Sequence, residues 1–286
     1  MDPEGAVKRG AIVLLLAGLS GCAHSGVDTA SLSSSSDAIV WDAAQKAYQK
    51  KQWETARQYY KRIVDGFPNS EYGPGARLGL GQSYFEEGGT GNYILAVASL
   101  REFLTLYPSH PRADFAQYLV AEAYFKQKNG PDRDQSSTRK ALTEYERLLD
   151  LYPGSPQVEN ARKRIRDCRA SLARSEYVVG WFYQKGRQAW RAAINRYEGI
   201  LSDYPDYDRL DEVLFRLSEC LDAAGRRAEA LPLLDRLLGE YPQSEYADDA
   251  RKLKDELQQR VSPPGSVPAT PEPPKVPSLP KPSATP

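Results

Sequence analysis

The side chain with the plainest chemical assignment in this 286-residue sequence is Cys22. It closes the phrase Leu19-Ser20-Gly21-Cys22, which follows Lys8-Arg9 and the apolar run Ala11 to Leu19. Basic residues, a short apolar run and small residues before a cysteine make a secretion signal ending in a lipobox. The run is too short to span a bilayer as a mature helix. Cys22 is then expected to become the diacylated N-terminal residue, with Ala23 after it compatible with export to the outer membrane. The alternative, an ordinary cleaved signal with an incidental cysteine, does not explain why all three features arrive together.

Other reactive groups are few. There are two histidines, His24 and the one in Ser109-His110-Pro111, so a histidine metal site or triad has no material. Asp132-Arg133-Asp134 has no third ligand nearby and reads as a helix-capping turn, and Gly88-Gly89 as a turn within a repeat. Once Cys22 is lipidated, Cys168 and Cys220 remain. Their places in the pattern described below differ by fourteen residues, about 21 Å of helical rise, whereas a disulfide needs Cα atoms within about 7 Å. Two free, packed thiols are expected. Thirty-eight basic residues balance thirty-eight acidic ones, so nothing implies a nucleic acid or other polyanion as partner. No cofactor and no metal is implied, and no enzyme. A binding scaffold remains.

The elements that would build such a scaffold are legible as one phrase repeated five times. It reads Ala56, Tyr60, Phe67-Pro68; Ala96, Leu100, Tyr107-Pro108; Ala141, Tyr145, Tyr152-Pro153; Ala193, Tyr197, Tyr204-Pro205; and Ala230, Leu234, Tyr241-Pro242. Alanine to proline is twelve residues each time, and seven after each alanine stands Ile63, Phe103, Leu148, Ile200 or Leu237. Offsets of four and seven put these residues on one helix face, and proline ends the helix. Upstream of each alanine lies a small residue: Ala44, Gly81, Ala121, Gly180 and Ser218. Aromatic residues follow three positions later in three copies, Tyr84, Tyr124 and Tyr183, while the first has Ala47 there with Tyr48 next and the fifth has Leu221. This is the tetratricopeptide pattern. A single copy cannot bury its own apolar face, so stacked copies share a continuous core.

The expected fold is therefore all-α: a superhelical solenoid of five tetratricopeptide-like helix-turn-helix repeats plus a C-terminal capping helix. Residues 1–22 are the signal with its lipobox, 23–36 a serine-rich flexible tether, 37–261 the solenoid and 262–286 a proline-rich disordered tail. Ten of the last 25 residues are proline. The cap is expected over Glu245 to about Val261, with Tyr246, Ala250, Leu253 and Leu257 along one side. The distance from small residue to alanine is twelve in repeats one and five, thirteen in four, fifteen in two and twenty in three. The surplus is expected in turns, at Gly88-Gly89-Thr90-Gly91 and at Asn129 to Ser136. The fourteen extra residues before Gly180 predict one long helix from Pro156, in its first turn, to about Lys185.

Several stretches between the repeats resemble the BamD family, lipoproteins of the outer-membrane β-barrel assembly machine. They are Tyr107-Pro108-x-His110-Pro111-x-x-Asp114-x-x-x-Tyr118, then Asp132-Arg133-Asp134 with the helix after it, and Tyr152-Pro153-x-Ser155. The fullest is Asn195-Arg196-x-Glu198-Gly199-x-Leu201-x-Asp203-Tyr204-Pro205-Asp206. The resemblance covers nearly the whole mature chain; repeat five, the glycine-rich second turn and the tail depart from it. It implies a non-enzymatic protein on the periplasmic face of the outer membrane, held by its lipid anchor. Its partners would be the POTRA domains of BamA, other lipoproteins of the machine, and unfolded β-barrel precursors whose last strand ends in an aromatic residue. BamA contact would fall on Asn195, Arg196 and Glu198. The residues themselves predict a groove on the concave side of repeats one to three, formed by Trp41, Gln45, Tyr48, Gln82, Phe85, Tyr118, Glu122 and Phe125. Packing between repeats is an equal alternative for Phe85 and Phe125. A pilus-assembly lipoprotein binding a secretin, or a periplasmic cell-wall adaptor, would have the same repeats.

Mass spectrometry of the mature N-terminus is expected to find a diacylglyceryl adduct on Cys22. An unmodified terminus at another residue would refute the lipobox.

Overall fold

Proline disfavours the helical conformation in the residue before it, so each second helix should stop at its aromatic-proline pair. In the computed structural model, which describes residues 36–261, all five do. The aromatic residues there have φ from −133° to −128° and ψ from 56° to 68°. Each still gives its N–H to the carbonyl four residues back, on Ile63, Phe103, Leu148, Ile200 or Leu237.

Repeat one is α1 (Asp37–Gln49) and α2 (Trp53–Gly66); repeat two is α3 (Gly73–Glu87) and α4 (Thr90–Leu106). Repeat three is α5 (Ala113–Phe125) and α6 (Ser136–Leu151). Repeat four is α7 (Val158–Trp181), a π-helical turn (Phe182–Arg187) and α8 (Trp190–Asp203). Repeat five is α9 (Leu210–Ala223) and α10 (Arg227–Glu240), and α11 (Ala247–Val261) caps it. There is no strand among the described residues. Each helix packs chiefly on the helices before and after it, as a solenoid requires. The fifteen phrase residues, from Ala56 to Leu237, are all 0–1 % exposed.

The seam between helices depends on small residues set against large ones. A Cβ on Gly81 would lie 2.6 Å from Leu100, and one on Gly180 would lie 2.7 Å from the Tyr197 ring. Between repeats, a Cβ on Gly79 would lie 2.5 Å from Tyr60. The cap buries Ala250 and Leu257 in the last core cluster, with Leu253 and Tyr246 partly buried beside them.

Three expectations need correction. The surplus of repeat two is not in its turn, because only Gly88 and Gly89 separate α3 from α4. Both take positive φ, 75° and 87°, and so reverse the chain in two residues. The extra residues instead lengthen α4 to 17 residues. Pro156 lies outside α7, immediately before its N-cap Gln157. The long helix also does not continue as an α-helix to Lys185, since it becomes π-helical at Phe182. The expected turn of repeat three does lie between α5 and α6, where Asp134 accepts hydrogen bonds from the Ser136 N–H (3.3 Å) and Oγ (2.7 Å). Cys168 and Cys220 are free and buried, and burial pushes both thiols up to about 12. Cys22, the signal, the tether before Ser36 and the proline-rich tail lie outside the described residues.

Gly180→Ala is expected to destabilise the protein by about 1–3 kcal/mol through overpacking against Tyr197. Gly239→Ala, where an added Cβ meets nothing within 4 Å, should instead stabilise by about 0.4–1 kcal/mol. Urea unfolding of the two variants checks both signs.

Candidate functional site

Three of the five second helices place a tyrosine at the buried position four after the alanine: Tyr60, Tyr145 and Tyr197. A buried hydroxyl must be hydrogen-bonded, and the partner comes from the first helix of the same repeat or its continuation. Gln45 Nε2 donates to Tyr60 (3.1 Å), Tyr145 donates to Glu122 Oε1 (2.6 Å), and Tyr197 donates to Gln184 Oε1 (2.9 Å). Burial, the largest cause in each case, raises all three phenols above their ordinary range. Gln45 and Glu122 each directly follow their repeat's small residue, a position that reads as groove wall from the sequence.

Glu122 is thereby corrected from a groove residue to an internal hub. It is 5 % exposed and also accepts from Arg164 Nε of α7 (2.8 Å) and from Tyr118 Oη (3.2 Å). Phe125 is tied to the same hub, with the Arg164 guanidinium 4.3 Å from its ring centroid and its edge against Tyr145. For Phe125 the packing alternative holds. Trp41 stacks on Tyr72 with ring centroids 5.5 Å apart, Tyr48 meets Trp53 edge-on and Phe85 lies against Tyr93. All three stay half-buried, as does Gln82, whose side chain makes no hydrogen bond among the described residues. The surface still open to a ligand is thus centred on repeats one and two.

The second candidate lies between α7 and α8. Asn195 and Arg196 line an open pocket of about 410 Å³ with Glu176, Tyr183, Gly199 and Asp203. Arg196 Nη1 donates to Glu176 (2.7 Å), not to the Glu198 or Asp203 nearer in sequence, and its side chain remains 44 % exposed. Glu198 does not join them; it faces repeat five, 3.8 Å from Arg226. The pocket gains Glu176 because α7 runs antiparallel to α8 with Gly180 against Tyr197. Glu176, one turn earlier on α7, then reaches Arg196. No spacing within one phrase signals that pairing.

Other residues of the between-repeat motifs turn out to latch repeats together. Ser155 Oγ donates to Asp114 (2.6 Å), Ser70 to Asp37 (2.7 Å) and Ser244 to Asp211 (2.5 Å). Each serine stands two after a repeat-ending proline, and each aspartate seven before its repeat's small residue. The same serines accept the N–H groups of Gln157, Tyr72 and Tyr246. At repeat four the latch is replaced by Arg169, which grips Asp206 (3.1 and 3.2 Å) and the Asp203 carbonyl (2.9 Å). That guanidinium holds the Asp206 carboxyl below its ordinary range.

Among the described residues no group of three or more His, Cys, Asp or Glu could hold a metal ion, and no helix is long and apolar enough to cross a membrane. Residues 34–231 match the family described as YfiO, outer membrane lipoprotein. A Caulobacter vibrioides protein named outer membrane protein assembly factor BamD is 29 % identical over 222 residues, covering 77 % of this chain and 71 % of that one. A Haemophilus influenzae protein of the same name is 26 % identical over 234 residues, covering 78 % and 87 %. Among solved structures, MamA is 20 % identical with a TM-score of 0.32 over 74 % of this chain and 94 % of that one. The P58(IPK) TPR domain is 16 % identical with a TM-score of 0.38 over 79 % and 56 %.

Glu122→Ala removes one partner of the hub and leaves Arg164 and two tyrosine hydroxyls without their acceptor. It is expected to destabilise the protein by about 3 kcal/mol, the lower end of the range for buried pairs because Arg164 is 31 % exposed and can rehydrate. Thermal or urea unfolding measures it; a loss near zero would mean that Glu122 is not the hub.

Proposed function

The chain belongs to the YfiO family of outer membrane lipoproteins, and on that footing we propose that it is a non-enzymatic assembly factor for outer-membrane β-barrel proteins. In this reading Cys22 anchors it in the outer membrane with the solenoid facing the periplasm. Repeat four binds a POTRA domain of BamA, and repeats one and two receive unfolded barrel precursors alongside the machine's other lipoproteins. The names of its relatives favour this over a pilus-assembly or cell-wall role.

The observation that carries the BamA contact is the half-open arginine of the α7–α8 pocket. Only Nη1 of Arg196 has a partner among the described residues, so the rest of the guanidinium fork is free to take a second carboxylate. Arginine suits this because its planar donors grip a carboxylate in a fixed geometry. Asn195 beside it adds an amide, and an added Cβ on Gly199 would meet nothing within 4 Å, so a partner backbone can come close. Glu198 contributes to this site only indirectly, by holding Arg226 at the edge of repeat five. For precursors, the half-buried rings of Trp41, Tyr48 and Phe85 beside the uncommitted Gln82 suit an extended chain with an aromatic end.

Arg196→Glu is expected to abolish co-purification with BamA. Losing one side of a desolvated interface pair costs about 2–5 kcal/mol, whereas the exposed pair with Glu176 contributes at most about 1 kcal/mol to stability. Thermal unfolding should therefore barely move. Wild-type recovery of BamA with this variant would sink the assignment. In the same cells, a photocrosslinker at Gln82 should capture precursor peptides while one at Glu198 does not.

A further inference from the structure

Gly180 to Ala193 is thirteen residues, one more than the corresponding distance in repeats one and five. In those repeats a left-handed residue, Lys51 (φ 57°) or Gly225 (φ 78°), stands two before the second helix and seven after the small residue. In repeat four Gln188 (φ 50°) also stands two before the second helix, but eight after Gly180. The surplus residue therefore lies between Gly180 and Gln188, and the π-helical turn Phe182–Arg187 takes it up. Position also matters. Where repeats one and three have Gln45 or Glu122 after the small residue, repeat four has Trp181, so the Tyr197 hydroxyl is met by Gln184 from within the π turn.

The outcome is an aromatic, basic tip. Trp181 is 37 % and Phe182 52 % exposed, and Lys185, Arg187 and Arg191 are exposed around them. From Tyr177 to Tyr197 there is no aspartate or glutamate, in a chain with equal numbers of acids and bases. The carboxylate that faces the tip is Glu219 of α9, which accepts from Arg216 and Gln184 and lies 4.0 Å from Lys185. Arg216 in turn covers the Trp181 ring at 4.9 Å. Arg187 and Arg191 have no carboxylate within 4.0 Å among the described residues, and Arg187 lies 5.5 Å from the Phe182 ring centroid.

We infer that this α7–α8 tip rests on an anionic phospholipid surface, with Trp181 and Phe182 at the headgroup boundary and Lys185, Arg187 and Arg191 among the phosphates. Exposed Trp and Phe flanked by long basic side chains suit an interface that is apolar on one side and charged on the other. A protein groove would require matched shape, whereas an exposed tip with two unpaired arginines, Arg187 and Arg191, needs only a charged plane. The pocket between α7 and α8 includes none of Trp181, Phe182 and Arg187. Each basic residue near an anionic surface favours contact by about fivefold. The patch is therefore too small to recruit the protein by itself, and it orients a chain already anchored. The inference rests on anchoring through Cys22 to bring tip and bilayer together, and is independent of the Arg196 contact.

The test uses the lipidated full chain with Gly186→Cys labelled by an environment-sensitive nitrobenzoxadiazole. A Cβ there makes only ordinary contact with Phe182, and Cys168 and Cys220 are buried away from the reagent. On vesicles of phosphatidylethanolamine and phosphatidylglycerol the emission should rise about twofold and shift to the blue. Phosphatidylcholine vesicles should give less than half that rise. Phe182→Ser, and separately Lys185→Glu with Arg187→Glu, should remove most of it while far-ultraviolet circular dichroism stays unchanged. Protein that floats with the vesicles but shows no rise, or a rise indifferent to these variants, overturns this inference alone. A rise that appears only when BamA is added assigns the tip to a protein and also overturns it. Protein that does not float refutes the anchor, and this inference with it.

Discussion

The rest of the structure depends on how closely two helices pass within each repeat. Where Gly81 meets Leu100 and Gly180 meets Tyr197, there is no room for a single added carbon. That approach sets the rotation of each second helix, which buries the alanine and the residues four and seven beyond it. It also explains why twelve residues to proline never varies while the distance upstream of the alanine does. The second helix must present one fixed face and then stop, whereas the connection before it has only to return the chain.

Close passage brings a second requirement wherever the large residue is tyrosine. Its hydroxyl is carried into the core, and a polar side chain must follow it there. Gln45, Glu122 and Gln184 are that answer in three repeats. In the two repeats with leucine, Leu100 and Leu234, the equivalent position is left free for other contacts: Gln82 makes none internally, and Glu219 turns to Arg216 and Gln184. Whether the polar residue after the small one is drawn to a buried hydroxyl thus depends on one residue of the second helix.

This is where reading the sequence succeeded and where it stopped. The alanines, large residues and prolines were legible because their pattern is local and tied to helical period. Cys168 and Cys220 were legible as free thiols from helical rise alone. Glu122 was not legible as a hub, since its partners Tyr145 and Arg164 lie 23 and 42 residues away and meet it only through packing. The pairing of Arg196 with Glu176 across the α7–α8 seam escaped for the same reason. In repeat two, Gly88-Gly89-Thr90-Gly91 looked like turn because glycine permits turns, yet two glycines sufficed and the helix took the rest. The π turn was foreshadowed by a single surplus residue, but a count of residues does not say which backbone geometry absorbs it.

The serine–aspartate latches do not close every joint. They close the joints after repeats one, three and five, and Arg169 with Asp206 closes the joint after repeat four. After repeat two the latch positions are Pro74 and His110, and no side-chain bond joins them. Proline has no donor or carboxylate to offer, and His110 Nδ1 is taken by the Arg112 N–H of its own turn. Across that joint the Arg101–Glu144 pair links the outer helices instead, and Arg101 is half exposed. That joint is therefore held by a surface ion pair in place of the latch, while its helices pack on each other as those at the other joints do. It divides the solenoid into one arm that carries Trp41, Tyr48 and Phe85 and another that carries the Arg196 pocket.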